Sequence, residues 1–169
     1  TGCWSSGAGS LAVTVNPLPA TPGNPTSNSP QCADAGVTLT RSGTPPAGET
    51  WYWQTSAAGT STANSGTTFN VTTSGTYYIR SQNNTTLCWS SGAGSAAVTV
   101  NQNPNSPTSG GNITICLSAA PATLSATPPV GSTVDWYDAA TNGLLLLSGS
   151  NSYSSSVSGT YYAESRNST

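Results

Sequence analysis

The chain has 169 residues, enough for one medium domain or two small ones, and only 5% of them are charged: three Lys+Arg, five Asp+Glu and no His, for a net charge of −2. Three arginines without a lysine cannot build the basic footprint that displaces phosphate counterions, so a nucleic-acid partner is excluded. The lack of His and the few carboxylates leave little acid–base chemistry, so no enzyme and no cofactor is expected; no apolar run reaches the roughly 20 residues that span a bilayer, so membrane insertion is not expected either.

Five Trp and seven Tyr argue against disorder, and the Ser, Thr, Gly, Asn and Pro around them are the composition of short strands joined by tight turns. In chain order, an edge strand is expected near Pro25–Pro30, then Val37–Thr40, then Thr50–Gln54 with Trp51 and Trp53 on one face. A short strand around Thr60–Ala63 precedes Thr67–Thr72 and Thr76–Gln82, which are separated by the turn Thr73–Gly75. Ala96–Val100 is the last strand of this set.

The set is repeated. Cys3-Trp4-Ser5-Ser6-Gly7-Ala8-Gly9-Ser10 returns unchanged as residues 88–95, and Ala-Val-Thr-Val-Asn follows at 12–16 and at 97–101. Ser74–Tyr78 recurs as Ser158–Tyr162, Cys32 as Cys116 and Trp53 as Trp136, at offsets of 83 or 84. If residue 169 were joined to residue 1 of a following copy, Cys116 would precede the next Cys3 by 56 positions, as Cys32 precedes Cys88, and Tyr162 would precede it by 10, as Tyr78 precedes Cys88. The expected organisation is therefore one period of a head-to-tail array: residues 1–16 as a terminal hairpin strand completing the repeat of a neighbouring copy, 17–101 as repeat A, and 102–169 as repeat B, completed by residues 1–16 of the next copy. About seven strands in some 85 residues is the immunoglobulin-like pattern, so the fold class is all-β, with tandem antiparallel β-sandwiches.

Val-Asn-Pro-Leu-Pro at 15–19 after a Thr/Val strand, Cys32 before Val-Thr-Leu, Trp53 in the third strand and Ser-Gly-Thr-Tyr-Tyr leading to Cys88 resemble the immunoglobulin-like repeats of very large secreted Bacteroidota surface proteins, which include the giant adhesins of gliding species (SprB type). The resemblance implies an extracellular, cell-surface location, adhesion and filament formation, with neighbouring copies of the repeat as partners.

Four cysteines at equivalent places in the repeats fit a disulfide framework better than a metal site without His or close Cys spacing. Cys88 lies eleven residues after Tyr77, not the two of an antibody domain, so the expected Cys32–Cys88 bridge ties the start of one strand to the last hairpin, and Cys116 would join Cys3 of the adjacent copy. Trp53 and Trp136 are expected in the core, with Tyr77 and Tyr161 as inward corner tyrosines. Tyr52, Tyr78 and Tyr162 should alternate outward and are the candidates for stacking sugar rings. Trp4 and Trp89 follow the cysteines and either pack over a disulfide or contact the next domain or another strand of a filament. Leu144, Leu145, Leu146 and Leu147 form the single aliphatic run, two of them expected in the core and an outer pair free for an inter-domain or inter-chain contact. Gly-rich Ser90–Gly94 reads as a hairpin turn, the scattered carboxylates offer no calcium loop, and the prolines at 17, 19, 22 and 25 and at 104 and 107 read as semi-rigid spacers.

The expected role is a structural repeat of a long extracellular filament or adhesin stalk. The alternatives are a carbohydrate-binding or spacer module with a surface polysaccharide as partner, and a pilin-like subunit polymerising by strand donation.

Overall fold

The computed structural model describes residues 1–119 and 121–168; Thr169, the far end of repeat B, lies outside them. The chain forms two compact units, Thr1–Asn101 and Gln102 onward. Fourteen strands and one 3-10 turn (Leu117–Ala119) make up its regular structure among the described residues.

Unit 1 holds β1 (Thr26–Ser27), β2 (Gln31–Cys32), β3 (Val37–Thr40), β4 (Glu49–Gln54), β5 (Thr68–Val71), β6 (Gly75–Asn83), β7 (Gly94–Val98) and β8 (Val100–Asn101). One sheet has the order β1-β3-β5 and the other β4-β6-β7, both antiparallel, while β2 runs parallel to β8. The alternation of β-branched and apolar residues puts Val37 and Leu39 on the inner face of β3, opposite Trp51 and Trp53 of β4 and Tyr77 and Ile79 of β6. Val71, Val98 and Val100 complete this core. Gly36, at φ +66°, lets the chain turn from Cys32 into β3, and a side chain there would collide with Asn70.

Unit 2 holds β9 (Thr108–Ser109), β10 (Ala122–Thr127), β11 (Ser132–Tyr137), β12 (Leu145–Leu147), β13 (Ser152–Ser155) and β14 (Tyr162–Asn167). Its sheets are β9-β10-β13 and β12-β11-β14, with Ala126, Val134 and Trp136 as the buried centre. Both indoles are anchored at the rim of the core, Trp53 Nε1 donating to Gly66 O at 3.0 Å and Trp136 Nε1 to Ser150 O at 2.8 Å. Tyr77 donates its hydroxyl to Thr73 O and Tyr161 to Val157 O, each at 3.0 Å, which is the corner arrangement expected from sequence.

Three expectations fail. Thr60–Ala63 is not a strand: the buried side chain of Gln54 closes this loop instead, donating to Ser61 O at 2.6 Å and accepting from Ser61 N at 2.9 Å. Pro19, Pro22 and Pro25 are buried parts of unit 1, not a spacer, because this segment runs so close to β7 that a Cβ at Gly94 would meet the backbone of Pro22 and Gly23. Of the leucine run only Leu146 packs against the core; it is the extra residue of a bulge, since Trp136 pairs with Leu147 and Tyr137 with Leu145.

Candidate functional site

The structure contains no disulfide: Cys3, Cys32 and Cys116 are exposed free thiols, and Cys88 is half-buried and free. The expected Cys32–Cys88 bridge is corrected by the strand register. Cys32 pairs with Asn101, beside Val100, whose N–H donates to Ser74 Oγ just before β6 begins. The carbonyl of Cys88 accepts from Asn83 N, at the other end of β6. Eight strand steps separate those ends, about 27 Å at 3.4 Å per residue, whereas bridged Cα atoms lie within roughly 7 Å. The two thiols stand at opposite poles of the unit.

Trp89 therefore packs over no disulfide. Its ring lies against Tyr52, with centroids 5.6 Å apart, and against the Arg80 guanidinium, 5.5 Å from the ring centre. Arg80 is buried and donates to Gly59 O at 2.9 Å and to Ser90 O, so it ties the β6–β7 hairpin to the loop after β4. Sequence reasoning missed this residue; its signal was a lone arginine inside an otherwise uncharged strand. Tyr52, one of the glycan candidates, has one ring face taken by Trp89, while Tyr78 and Tyr162 are half-buried in β6 and β14 beside Gln54 and Tyr137. Leu144, Leu145 and Leu147 are exposed.

A second missed pair sits in unit 2. Arg166 donates from Nε to Asp135 Oδ2 at 2.7 Å, and Ser148 Oγ and Gly149 N donate to Oδ1 at 2.7 and 2.8 Å. The guanidinium first, and then these two donors, hold the buried carboxyl at about 2 instead of its ordinary 3.8, against the opposing effect of burial. Among the described residues no group of three or more His, Cys, Asp or Glu is placed to hold a metal.

The two units differ most at one edge. In unit 1, β7 lies along β6 with Tyr77 opposite Ala96 and Ile79 opposite Gly94; its continuation bonds the other side too, with Gln31 N donating to Thr99 O and Thr99 N donating to Ser29 Oγ. In unit 2, β14 pairs with β11 alone, and no described strand lies on its outer edge. A cleft of about 460 Å³ occupies that place, walled by Pro107, Ile113, Tyr161 and Ala163 and floored by Ala126 and Trp136. Tyr161 and Ala163 are only half-buried, while their counterparts Tyr77 and Ile79 are buried.

Residues 1–16 are exposed throughout and pair with no described strand: Leu11 is 100%, Val13 88% and Val15 86% accessible, against 5% and 6% for the matching Val98 and Val100. Trp4 is likewise exposed.

No curated protein matches the chain. A family described as an Ig-like domain, CHU_C associated, matches residues 19–102 and again 104–169. Together these stretches take in most of the chain, and the matched family is generally non-catalytic. The chain is two tandem Ig-like domains and belongs to the CHU_C-associated Ig-like family.

Proposed function

We propose that the chain is a structural repeat of a long extracellular surface filament or adhesin stalk, supplying reach, stiffness and cell-surface adhesion in the manner of the gliding adhesins. The observation that carries this reading is the repetition itself: two domains of one family stand in direct succession, with only Asn103 between the matched stretches. A chain with three Arg and five acidic residues, of which Arg80 and Asp135 are buried, suits such a role, being poor in tryptic sites and little altered by salt. Trp4 and the exposed leucines of β12 are the contacts it offers to neighbouring copies.

The carbohydrate-binding alternative is less well supported, because Tyr52 spends one ring face on Trp89 and the rings meet at 55°, which leaves no flat platform. The test is surface labelling. An antibody raised against the chain is expected to stain intact cells of the source organism, with the signal removed by protease added outside. Staining seen only after lysis overturns the reading.

A further inference from the structure

We propose that residues 3–16 of one copy of this chain form the missing edge strand of unit 2 in another copy, lying along β14 in the register that β7 keeps along β6. This deepens the filament reading by naming the partner, a second copy, but rests on different observations.

The first is sequence against structure. Residues 3–16 match 88–101 at 13 of 14 positions, and 88–101 is the segment that fills the equivalent edge of unit 1. Transferring the observed register places Leu11 opposite Tyr161, Ser10 opposite Tyr162, Gly9 opposite Ala163 and Trp4 opposite Arg166. Leu11, Val13 and Val15 then share the inner face with Tyr161 and Ala163, over the cleft floored by Trp136.

The second is the one position that differs. Leu11 stands where unit 1 has Ala96, and unit 2 has Ala163 where unit 1 has Ile79. Ile79 and Ala96 lie on one face of neighbouring strands, two residues out of direct opposition. The exchange keeps the number of side-chain carbons constant, so the extra bulk of Leu11 fills the space that Ala163 leaves. Nothing in the exposed segment itself asks for a leucine there.

The third is local conformation. Ser5 Oγ donates to Gly7 O at 2.7 Å, and Ser90 Oγ donates to Gly92 O at the same distance in the assembled hairpin. The unpaired segment thus already holds the turn it would need. Gly9 has nothing within 4 Å of a Cβ position, whereas its counterpart Gly94 is pressed against Pro22 and Gly23, so the glycine at 9 has a reason only in the bound place. On the receiving side, Ser81, the counterpart of Ser165, meets Ser90 at both its backbone N–H and its C=O while its own hydroxyl goes to Glu49, and Ser5 is the residue that would take the backbone role at Ser165.

In this register Cys3 falls near Asn167, as Cys88 falls near Asn83, while Cys116 precedes β10 at the opposite pole, so the expected Cys116–Cys3 bridge is not part of the proposal. The same occupant serves whether copies are separate chains or follow one another in one polypeptide.

The test is register-specific trapping with the full chain. All four cysteines are replaced by Ser, and Ser10→Cys is combined with Tyr162→Cys. Oxidation is expected to give a ladder of dimers and higher species, and Ser10→Cys with Glu164→Cys, two residues out of register, is expected to give far less. Leu11→Ala in the trapping background should lower the yield at limiting concentration by about tenfold or more, as for a truncated core leucine. Adding Ala163→Ile to that variant should restore it. A monomer cross-linked only to itself overturns the proposal in favour of closure within one chain. Equal yields from the two cysteine pairs, or no cross-link at any concentration, overturn it as well. None of these outcomes touches cell-surface location, so the filament reading stands or falls separately.

Discussion

Cys32 and Cys88 mark opposite poles of unit 1, one beside the end of β8 and the other beside the end of β6, so the domain is held by its core and not by a bridge. Mass spectrometry of the native chain is therefore expected to find four alkylatable thiols, and reductant is expected to leave the melting temperature of unit 1 unchanged. Cys32→Ser should alter stability by no more than about 0.5 kcal/mol, as for an exposed site. A two-hydrogen mass deficit assigned to Cys32 and Cys88 would contradict the register.

Arg80 secures the β6–β7 hairpin through the carbonyls of Gly59 and Ser90 and the face of Trp89. Arg80→Ala leaves two carbonyls without their donor and is expected to cost unit 1 about 2–4 kcal/mol in denaturant unfolding. Arg80→Lys should recover only part of this, since an ammonium cannot reproduce the planar fork. An effect as small as that of an exposed substitution would show that the clamp carries no weight.

Among the described residues, nine buried apolar residues centre unit 1 and three centre unit 2, so calorimetry of the chain is expected to resolve two transitions, unit 2 melting first. A peptide of residues 3–16 with Cys3→Ser should raise the lower transition and leave the upper one in place. At a hundredfold excess over its dissociation constant the added stability is about 2.7 kcal/mol. A shift of the upper transition, or of neither, would count against a vacant strand position in unit 2.

Asp135 titrates near 2 in the folded unit because Arg166 and two further donors favour its charged form. A carboxyl whose pKa is lower folded than unfolded adds stability above its ordinary value and loses it as the pH falls toward the folded value. Unit 2 should thus weaken between pH about 4 and about 2, and Asp135→Asn should flatten that part of the urea midpoint profile. An unchanged slope would mean the pair adds no pH dependence. The exposure of Arg166 keeps the effect modest and salt-sensitive.

Alternation made β3 and β4 legible before any coordinates, because Val37, Leu39, Trp51 and Trp53 recur at every second position, and Tyr77 and Tyr161 were legible from their place after a Ser-Gly turn. The cysteines misled because equal spacing reports that two positions are equivalent between repeats, not that they are near each other within one. Leu144–Leu147 misled for a related reason: a bulge turns Leu146 inward and breaks the alternation that would have sent a second leucine with it. The prolines at 19, 22 and 25 read as a spacer by composition, yet they pack because β7 approaches them closely at a glycine, which composition does not show. The repeat arithmetic pointed to residues 1–16 as a strand for a neighbour, but the size match between Leu11 and Ala163 became visible only when Ala96 and Ile79 were seen on one face.

The turn at Ser5–Gly7, closed before any strand is paired, would give the proposed association a direction in time. The rest of the segment is exposed, and ordering chain is costly residue by residue, so in the proposed pairing contact is expected to begin where that cost has already been met, at Trp4 beside Arg166. Pairing is then expected to run from Gly9 toward Asn16 like a zip fastened from its stopped end. A label at Trp4 should report arrival before one at Val15 does, and dissociation should open from the Asn16 end.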